Sequence, residues 1–429
     1  MKETCFNNSF FLSNRQRLTA LLPENSLAII SANNFMPKSA DQTFPLYQNQ
    51  DYYYLTGLKQ EKSILCICKS HPDPAMRQVL FLLNASPEME IWTGYRYTKD
   101  DVKRISGIET VLSLSDFPVL IKDFMTISAE VLMLKNEAPK FISDYPTAND
   151  LLITAIQQQY PLHRYGRLSP VMMQLRLIKQ KEELGMIKKA ISITEKALHK
   201  VMKQLKPGLM EYQVAAEITR EILWNGGNGH AFEPIVAGGK NACVLHYTTP
   251  NAKLNKEDLM LIDFGAEYEY YASDCSRTIP VGGKFTARQK QCYQAVLRVF
   301  KKAQKLYVPG NTINKINAQV NQWMEKEMIE LGLFTKEEVK NQNPENPLFK
   351  KYFMHGTAHF VGLDVHDVGL KHIPLEKGMV LTCEPGIYIQ EESIGIRIEN
   401  MILVDKTPVD LMKHFPVEIE EIEKNSDKV

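Results

Sequence analysis

The stretch Leu259-Met-Leu-Ile-Asp263-Phe-Gly265 places a carboxylate in a run that is otherwise typical of a buried strand. The residues after Gly265 can turn the chain, and a second strand can return through residues 272–278. Such a hairpin brings Asp263 and Asp274 onto neighbouring strands, about 5 Å apart if they share a face. Two desolvated carboxylates this close repel unless a cation or a shared proton lies between them. The stretch therefore predicts an inward-facing acidic pair that needs neutralising.

The same pattern occurs further along the chain. Glu384 ends the apolar run 380–383, and strict alternation over 394–399 puts Arg397 and Glu399 on one face of a strand. Three histidines lie between the two acid pairs: His355, His359 and His366. Carboxylates with an imidazole suit Mn²⁺, Co²⁺ or Zn²⁺, and bridging carboxylates suit two ions. The sequence contains neither HExxH nor GxSxG, which argues against a zincin and a serine hydrolase.

The two halves of the chain have different periodicities. Up to about residue 165, short apolar runs alternate with helical stretches, which predicts an α/β domain. Its predicted strands span 27–30, 52–55, 63–68, 79–83 and 131–134, and its clearest predicted helices span 15–22 and 147–159. Beyond residue 180, a helix, a Pro-Gly stop, a second helix and a strand-rich stretch occur twice. This order indicates an internal duplication, although Pro-Gly is also a common helix stop.

Composition excludes several classes of protein. With 429 residues the chain has room for two or three domains, and its net charge of +1 gives no bulk field for nucleic acid or an anionic membrane. No apolar run approaches the ~20 residues of a membrane helix, and the N-terminal residues do not resemble a signal peptide. Seven cysteines without a CxxC pair favour thiols in a reducing compartment. We therefore expect a cytoplasmic protein.

The segments around these acids and histidines resemble the pita-bread metallopeptidases, the family of methionine aminopeptidase, aminopeptidase P and prolidase. The resemblance covers about residues 175–410 and implies an α+β catalytic domain made of two pseudo-symmetric halves. It also implies two divalent metal ions, most often Mn²⁺ in the family, with Co²⁺ and Zn²⁺ possible. The implied ligands, of which Asp274 and Glu399 bridge the ions, are Asp263, Asp274, His359, Glu384 and Glu399.

The N-terminal half resembles the aminopeptidase P branch of this family. Gln48 to Gly57 and the triplet Glu90-Ile-Trp92 match its first-domain signatures, and Met354 stands where prolidases tend to have a proline. We expect an α/β N-terminal domain, residues 1–168, for substrate access and oligomerisation, and a pita-bread catalytic domain, residues 169–429. The implied activity is release of the N-terminal residue from peptides with proline in the second position.

The resemblance also implies individual roles around a hydroxide that bridges the metal ions and attacks the Xaa-Pro bond. Glu384 would carry the proton, and His246 and His366 would stabilise the developing oxyanion. His355, Arg397 and Tyr388 would line the proline pocket, with Arg397 equally well explained as a partner of inward-facing acids such as Glu399. Trp92 would reach a neighbouring subunit's site, although a tryptophan in this setting is more often a packing residue.

Three alternatives remain open at this stage. Prolidase, which cuts only dipeptides, is the nearest one. A non-catalytic pita-bread module that binds proteins or nucleic acids, and a metal-free creatinase-like hydrolase, are both disfavoured because all five ligand positions are filled. For partners, we expect peptide substrates with a penultimate proline, no nucleic acid, no membrane, and a homodimer or homotetramer, as in the relatives.

Overall fold

The structure is a computed structural model that describes residues 4–135, 137 and 145–426. The chain divides into two compact units, Met1–Arg176 and Leu177–Val429. The boundary predicted after residue 168 falls immediately before the helix Ser169–Leu177, whereas the first unit ends at Arg176, one residue before the end of this helix. Within the described residues, no helix has both the length and the apolar character needed to cross a bilayer.

The N-terminal unit is an α/β domain, as predicted. Its helices are α1 (Asn8–Leu21), α2 (Gln50–Thr56), α3 (Pro87–Thr93), α4 (Lys99–Ser106), α5 (Phe117–Ile127), α6 (Ala148–Gln159) and α7 (Ser169–Leu177). Its strands are β1 (Ser26–Ser31), β2 (Pro37–Ser39), β3 (Gln42–Thr43), β4 (Ser63–Cys68), β5 (Gln78–Leu82), β6 (Thr110–Ser113), β7 (Glu130–Met133) and β8 (Arg164–Arg167). Six of these strands form one mixed sheet in the order β6-β5-β4-β1-β7-β8.

Alternation along the strands builds the core of this unit. Leu27 and Ile29 of β1, and Val79 and Phe81 of β5, face the same side of the sheet and contact the apolar residues of α5. The predicted strand at 52–55 is wrong, because these residues lie in α2. The side chain of Asn49 caps the start of α2, and Gly57 ends it in the left-handed conformation with φ of 70°.

The C-terminal unit repeats one order of elements twice, as expected for a pita-bread domain. Its helices are α8 (Lys181–Gln204), α9 (Glu211–Trp224), α10 (Ala287–Ala303), α11 (Ile313–Glu330), α12 (Lys336–Lys340) and α13 (Ile419–Ser426). Its strands are β9 (Gly229–His230), β10 (Ile235–Gly238), β11 (Leu259–Phe264), β12 (Ala266–Tyr268), β13 (Tyr271–Ala272), β14 (Cys275–Pro280), β15 (Val380–Cys383), β16 (Gly386–Ile389), β17 (Ile394–Arg397), β18 (Asn400–Leu403) and β19 (Val409–Asp410). The helix pairs α8/α9 and α10/α11 each precede one group of antiparallel strands.

Candidate active site

The first acidic pair lies on the β11–β14 hairpin, as the sequence predicts. Asp263 of β11 pairs with Ser276 of β14, and Asp274 lies two residues before Ser276, so the two aspartates are diagonal neighbours. Gly265 allows this approach, since a Cβ atom at that position would overlap the carbonyl oxygen of Ser273. The position is therefore one that a larger residue cannot fill without moving the hairpin.

Backbone pairing brings His359 next to Glu384. The amide of Thr382 in β15 donates to the carbonyl of His359 at 2.9 Å, and the amide of Glu384 donates to Thr357 at 2.9 Å. The hydroxyl of Thr382 accepts the amide N–H of His359 at 3.1 Å. The histidine-rich segment thus follows β15 like an extra strand, which fixes both side chains at one end of it.

The acids and His359 converge on one point. Single donor atoms of Asp274, His359 and Glu399 lie within 4.8 Å of one another. His359 Nε2 is 3.3 Å from Asp274 Oδ2 and 3.7 Å from Glu384 Oε1. Because His359 Nδ1 bonds to the carbonyl of Phe360 at 3.1 Å, the proton resides on Nδ1 and the Nε2 lone pair faces the carboxylates.

The four carboxylates of this cluster have one buried guanidinium, that of Arg397, as an ion-pair partner, so most of their charge is left without a cation. Burial, and then the carboxylates of Asp263 and Glu384, raise the pKa of Asp274 well above its usual range. Burial, and then the charges of Asp274 and Asp263, likewise raise the pKa of Glu399, and burial raises the pKa of Glu384. Among the described residues, neither Asp263 Oδ1 nor Asp274 Oδ1 has a hydrogen-bond partner, although both atoms are buried. Four carboxylates, two of which have an oxygen without a hydrogen bond, and an imidazole lone pair fit divalent cations.

Arg397 connects the acids to the neighbouring polar residues. Its Nη2 donates to Asp263 Oδ2 at 2.7 Å, its Nε donates to Ser276 Oγ at 2.8 Å, and its Nη1 donates to Tyr388 Oη at 2.7 Å. The Ser276 hydroxyl then donates to Glu399 Oε2 at 2.6 Å. The guanidinium therefore orients two of the predicted ligands, one directly and one through Ser276, and it also contacts the predicted proline pocket.

The contact between Tyr388 and His355 fixes the protonation of that histidine. The Tyr388 oxygen accepts a hydrogen bond from Arg397. Its own hydroxyl proton is therefore donated to His355 Nε2, at 2.7 Å. His355 Nδ1 then carries the proton and donates to the carbonyl of Gly356 at 2.8 Å. Burial, and then the charge of Arg397, lower the pKa of His355 to about 3. The imidazole of His355 is thus neutral, and its Nδ1 lies 3.7 Å from Glu384 Oε2.

The remaining predicted residues lie in different surroundings. The exposed His366 ring meets the His359 ring edge to face, with their centroids 4.3 Å apart. The exposed His246 lies near enough to His355 to lower its pKa further. Trp92 lies on α3 of the N-terminal unit and is 82% exposed, so it is not a packing residue within this chain.

Two polar residues of the site are missing from the sequence interpretation. Ser276 links Arg397 to Glu399, and Thr382 holds the amide of His359 while its hydroxyl approaches Glu384 Oε1 at 3.4 Å. Ser276 stands two residues after Asp274, and Thr382 two residues before Glu384. That spacing of two along a strand is a signal that could have assigned both of them to the acidic face.

Two family models match the chain. The model for metallopeptidase family M24 matches residues 185–406, and the model for the aminopeptidase P N-terminal domain matches residues 11–133. Together they cover the β11–β14 hairpin, His246, the histidine-rich segment from His355 to His366, and most of the N-terminal sheet. All five predicted ligand positions lie inside the first of these matches.

Full-length similarity extends to individual proteins. A Xaa-Pro aminopeptidase of Escherichia coli is 33% identical in an alignment of 419 positions that covers 92% of each chain. The structure is similar to that of an aminopeptidase P from Bacillus anthracis, with a TM-score of 0.91 and 35% identity over 98% of both chains. It is also similar to an aminopeptidase P from E. coli bound to the inhibitor Pro-Leu, with a TM-score of 0.88 and 32% identity over 99% of both chains.

Proposed function

Because the chain belongs to metallopeptidase family M24, we propose that it is a metal-dependent Xaa-Pro aminopeptidase, which releases the N-terminal residue from peptides with proline in the second position. The observation that carries this proposal is the similarity to a Xaa-Pro aminopeptidase over 92% of both chains, including an aminopeptidase P N-terminal domain. Prolidase is the less favoured alternative, since both compared structures are aminopeptidases P. The acidic cluster described above supports an enzyme over a binding module.

We propose that Asp263, Asp274, His359, Glu384 and Glu399 hold two divalent ions. The buried carboxylate oxygens without hydrogen bonds and the oriented His359 Nε2 support this assignment. Such ions supply Lewis acidity and lower the pKa of water at the site. The oxygen-rich donor set supports Mn²⁺, while Co²⁺ and Zn²⁺ accept the same ligands.

The protein's own groups bind the peptide and move the proton in this proposal. Glu384 takes a proton from the attacking water and returns it to the proline nitrogen as the Xaa-Pro bond breaks. His246 and His366 act as hydrogen-bond donors to the oxyanion, and the neutral His355 lines the proline pocket with Tyr388. An Xaa-Pro bond has no amide N–H, so shape and ring contacts have to select it.

Three finer points belong to the same proposal. We propose a cytoplasmic location, supported by the six buried cysteines, which form no disulfide in the described part of the chain. We propose a homodimer or homotetramer, supported by Ile91 and Trp92, which are each 82% exposed on α3. Trp92 would then contact substrate in a neighbouring subunit.

A peptide panel tests this function. Protein stripped with a chelator and reloaded with Mn²⁺, Co²⁺ or Zn²⁺ is assayed on Xaa-Pro-Yaa, Xaa-Pro and Xaa-Ala-Yaa peptides. We expect metal-dependent release of Xaa from Xaa-Pro-Yaa and at least ~100-fold slower cleavage of Xaa-Ala-Yaa. Cleavage restricted to dipeptides would establish a prolidase instead, and full activity after complete stripping would refute the metallopeptidase mechanism.

A further inference from the structure

Glu211 is the first residue of α9, and its buried carboxylate collects four hydrogen bonds. Its Oε1 accepts from the amide of Gly238 at 2.7 Å and from Asn241 Nδ2 at 3.0 Å. Its Oε2 accepts from Tyr247 Oη at 2.9 Å and from the amide of Ala252 at 2.9 Å. Two of these donors, the amides of Gly238 and Ala252, are the two ends of one segment, residues 238–252, which we call the Glu211 loop. The other two donors, Asn241 and Tyr247, lie within this loop.

Glu211 is suited to this task as an anion. All four donors are neutral, so the acceptor has to supply the negative charge that strengthens these bonds. An acid in the first turn of a helix such as α9 also interacts favourably with the helix dipole. The amide of Glu211 also donates to the carbonyl of Ala252 at 2.9 Å, which attaches the end of the loop a second time.

The Glu211 loop carries His246 between its two attached ends. Leu245 and Tyr247, on either side of His246, pack against a core cluster that includes Ala242, Cys243 and Tyr388. Tyr388 in turn contacts His355 and Arg397. The loop is therefore fixed by Glu211 on one side and by a residue of the candidate active site on the other.

We propose that Glu211 is a positioning residue, whose carboxylate fixes both ends of the loop and thereby holds His246 against the bound peptide. This inference rests on the proposed function, in which His246 stabilises the oxyanion. Glu211 does not touch the substrate; it acts through the loop. A glutamine at this position retains one oxygen, but its NH₂ group faces two donors, and a backbone N–H cannot reverse its direction.

The test is a double-mutant cycle between Glu211 and His246. Glu211→Gln should lower kcat on an Xaa-Pro-Yaa peptide by about 10- to 100-fold with little change in KM, because the reacting geometry is lost while peptide binding remains. His246→Ala should lower kcat comparably. In the His246→Ala background, Glu211→Gln should then cost less than about threefold, since both changes remove the same interaction.

Two further measurements separate positioning from general damage. Hydrogen exchange in the metal-free protein should be about tenfold faster at the amides of Gly238 and Ala252 in Glu211→Gln, and unchanged elsewhere in the unit. The matched control is Glu327→Gln on α11, which removes a carboxylate that accepts from Arg298 away from the site and should leave kcat unchanged. Tyr247→Phe removes a single donor to Glu211 and should lower kcat by about three- to tenfold if Glu211→Gln does not fold.

Each outcome decides one claim. If the effects of Glu211→Gln and His246→Ala multiply, or if kcat is unchanged in Glu211→Gln, the positioning role is refuted. Equal loss of kcat in Glu327→Gln would also refute it, since destabilisation alone would then explain the effect. Failure of the wild-type protein to cleave any Xaa-Pro-Yaa peptide would instead refute the proposed function, and the exchange measurement would still test the attachment of the loop.

Discussion

At the scale of single residues, Arg397 does more than either role expected of it. It contacts both Asp263 and Tyr388, so the guanidinium serves the inward-facing acids and the predicted proline pocket together. Its planar fork suits three acceptors in fixed directions, which a lysine ammonium on a flexible chain does not match. The choice between the two roles could not be made from alternation along β17, since alternation gives a face and not a set of partners.

Substituting Arg397 by lysine tests this arrangement. Arg397→Lys should lower kcat/KM on an Xaa-Pro-Yaa peptide by about 100-fold, because at least one charge-assisted hydrogen bond of about 1.5–3 kcal/mol is lost and the acceptors are left buried. The matched control is Arg298→Lys, at a guanidinium that pairs with Glu327 and is 48% exposed. Activity of Arg397→Lys within threefold of wild type would contradict the prediction.

The four proposed acidic metal ligands could be predicted from sequence because each conflicts with the apolar pattern around it. Asp263, Asp274, Glu384 and Glu399 are acids where a strand should be apolar, and this conflict is visible without any structure. Glu211 has no such conflict, because an acid in the first turn of a helix is ordinary. Its role depends on hydrogen-bond donors of the Glu211 loop that are 27 to 41 residues away in the chain, and these contacts form only in the folded protein.

At the scale of elements, the prediction from local composition was wrong for α2, whose helical structure is set by the residues that cap its two ends. The run Tyr52-Tyr53-Tyr54-Leu55 has strong strand propensity, yet it forms α2 between the Asn49 cap and the left-handed Gly57. All four side chains are buried, which removes the periodicity that would have indicated a helix. In contrast, local sequence does specify the start of α10, where Thr286 and Gln289 form a capping box.

The β11–β14 hairpin gives a prediction at the same scale. Gly265→Ala should reduce metal content and activity at least ~10-fold, because its Cβ would push the chain at Ser273 and displace Asp274. The measurements are elemental analysis and peptide cleavage. The control is Gly185→Ala on the exposed side of α8, where a Cβ meets nothing within 4 Å and should stabilise the helix by about 0.5–1 kcal/mol. Full metal content in Gly265→Ala would contradict the prediction.

At the scale of the whole molecule, the acidic cluster makes stability depend on metal and on pH. The raised pKa values of Asp274 and Glu399 mean that the folded, metal-free protein binds protons more tightly than the unfolded chain. The stability that protonation gives is fully present below the unfolded pKa values, near 4, and is lost as pH rises through the folded values. Bound cations remove this loss, because they favour the ionised form.

The melting temperature should therefore respond to chelation more strongly at higher pH. The Mn²⁺ concentration is kept the same at every pH, at about 100 times the dissociation constant measured at pH 8. At pH 8 we then expect Tm to exceed that of the chelated protein by about 5–10 °C. At pH 5 the difference should be smaller. Thermal scans with chelator or Mn²⁺ from pH 5 to 8 measure it, and Asp274→Asn should reduce the dependence on pH. A difference that stays constant or shrinks as pH rises would contradict the prediction.

The overall architecture was the part of the molecule most accessible from sequence. Two types of periodicity separated an α/β half from a half with repeated helix pairs, and the structure has both. The strands β6 and β8 were not predicted, because short segments such as Arg164–Arg167 are polar and are strands only by pairing with the sheet. Such edge positions depend on a neighbour, and local sequence does not contain that information.

The guanidinium of Arg397, shared between an acid and a tyrosine, has a thermodynamic consequence. A cation that binds Asp263 shifts the carboxylate, and with it the Arg397 guanidinium that donates to Tyr388. A ligand that contacts Tyr388 shifts the same guanidinium and therefore acts on Asp263. Cation binding at Asp263 and ligand binding at Tyr388 are therefore thermodynamically coupled. By reciprocity, a Pro-containing dipeptide that binds more tightly when the cations are present must raise their affinity by the same factor.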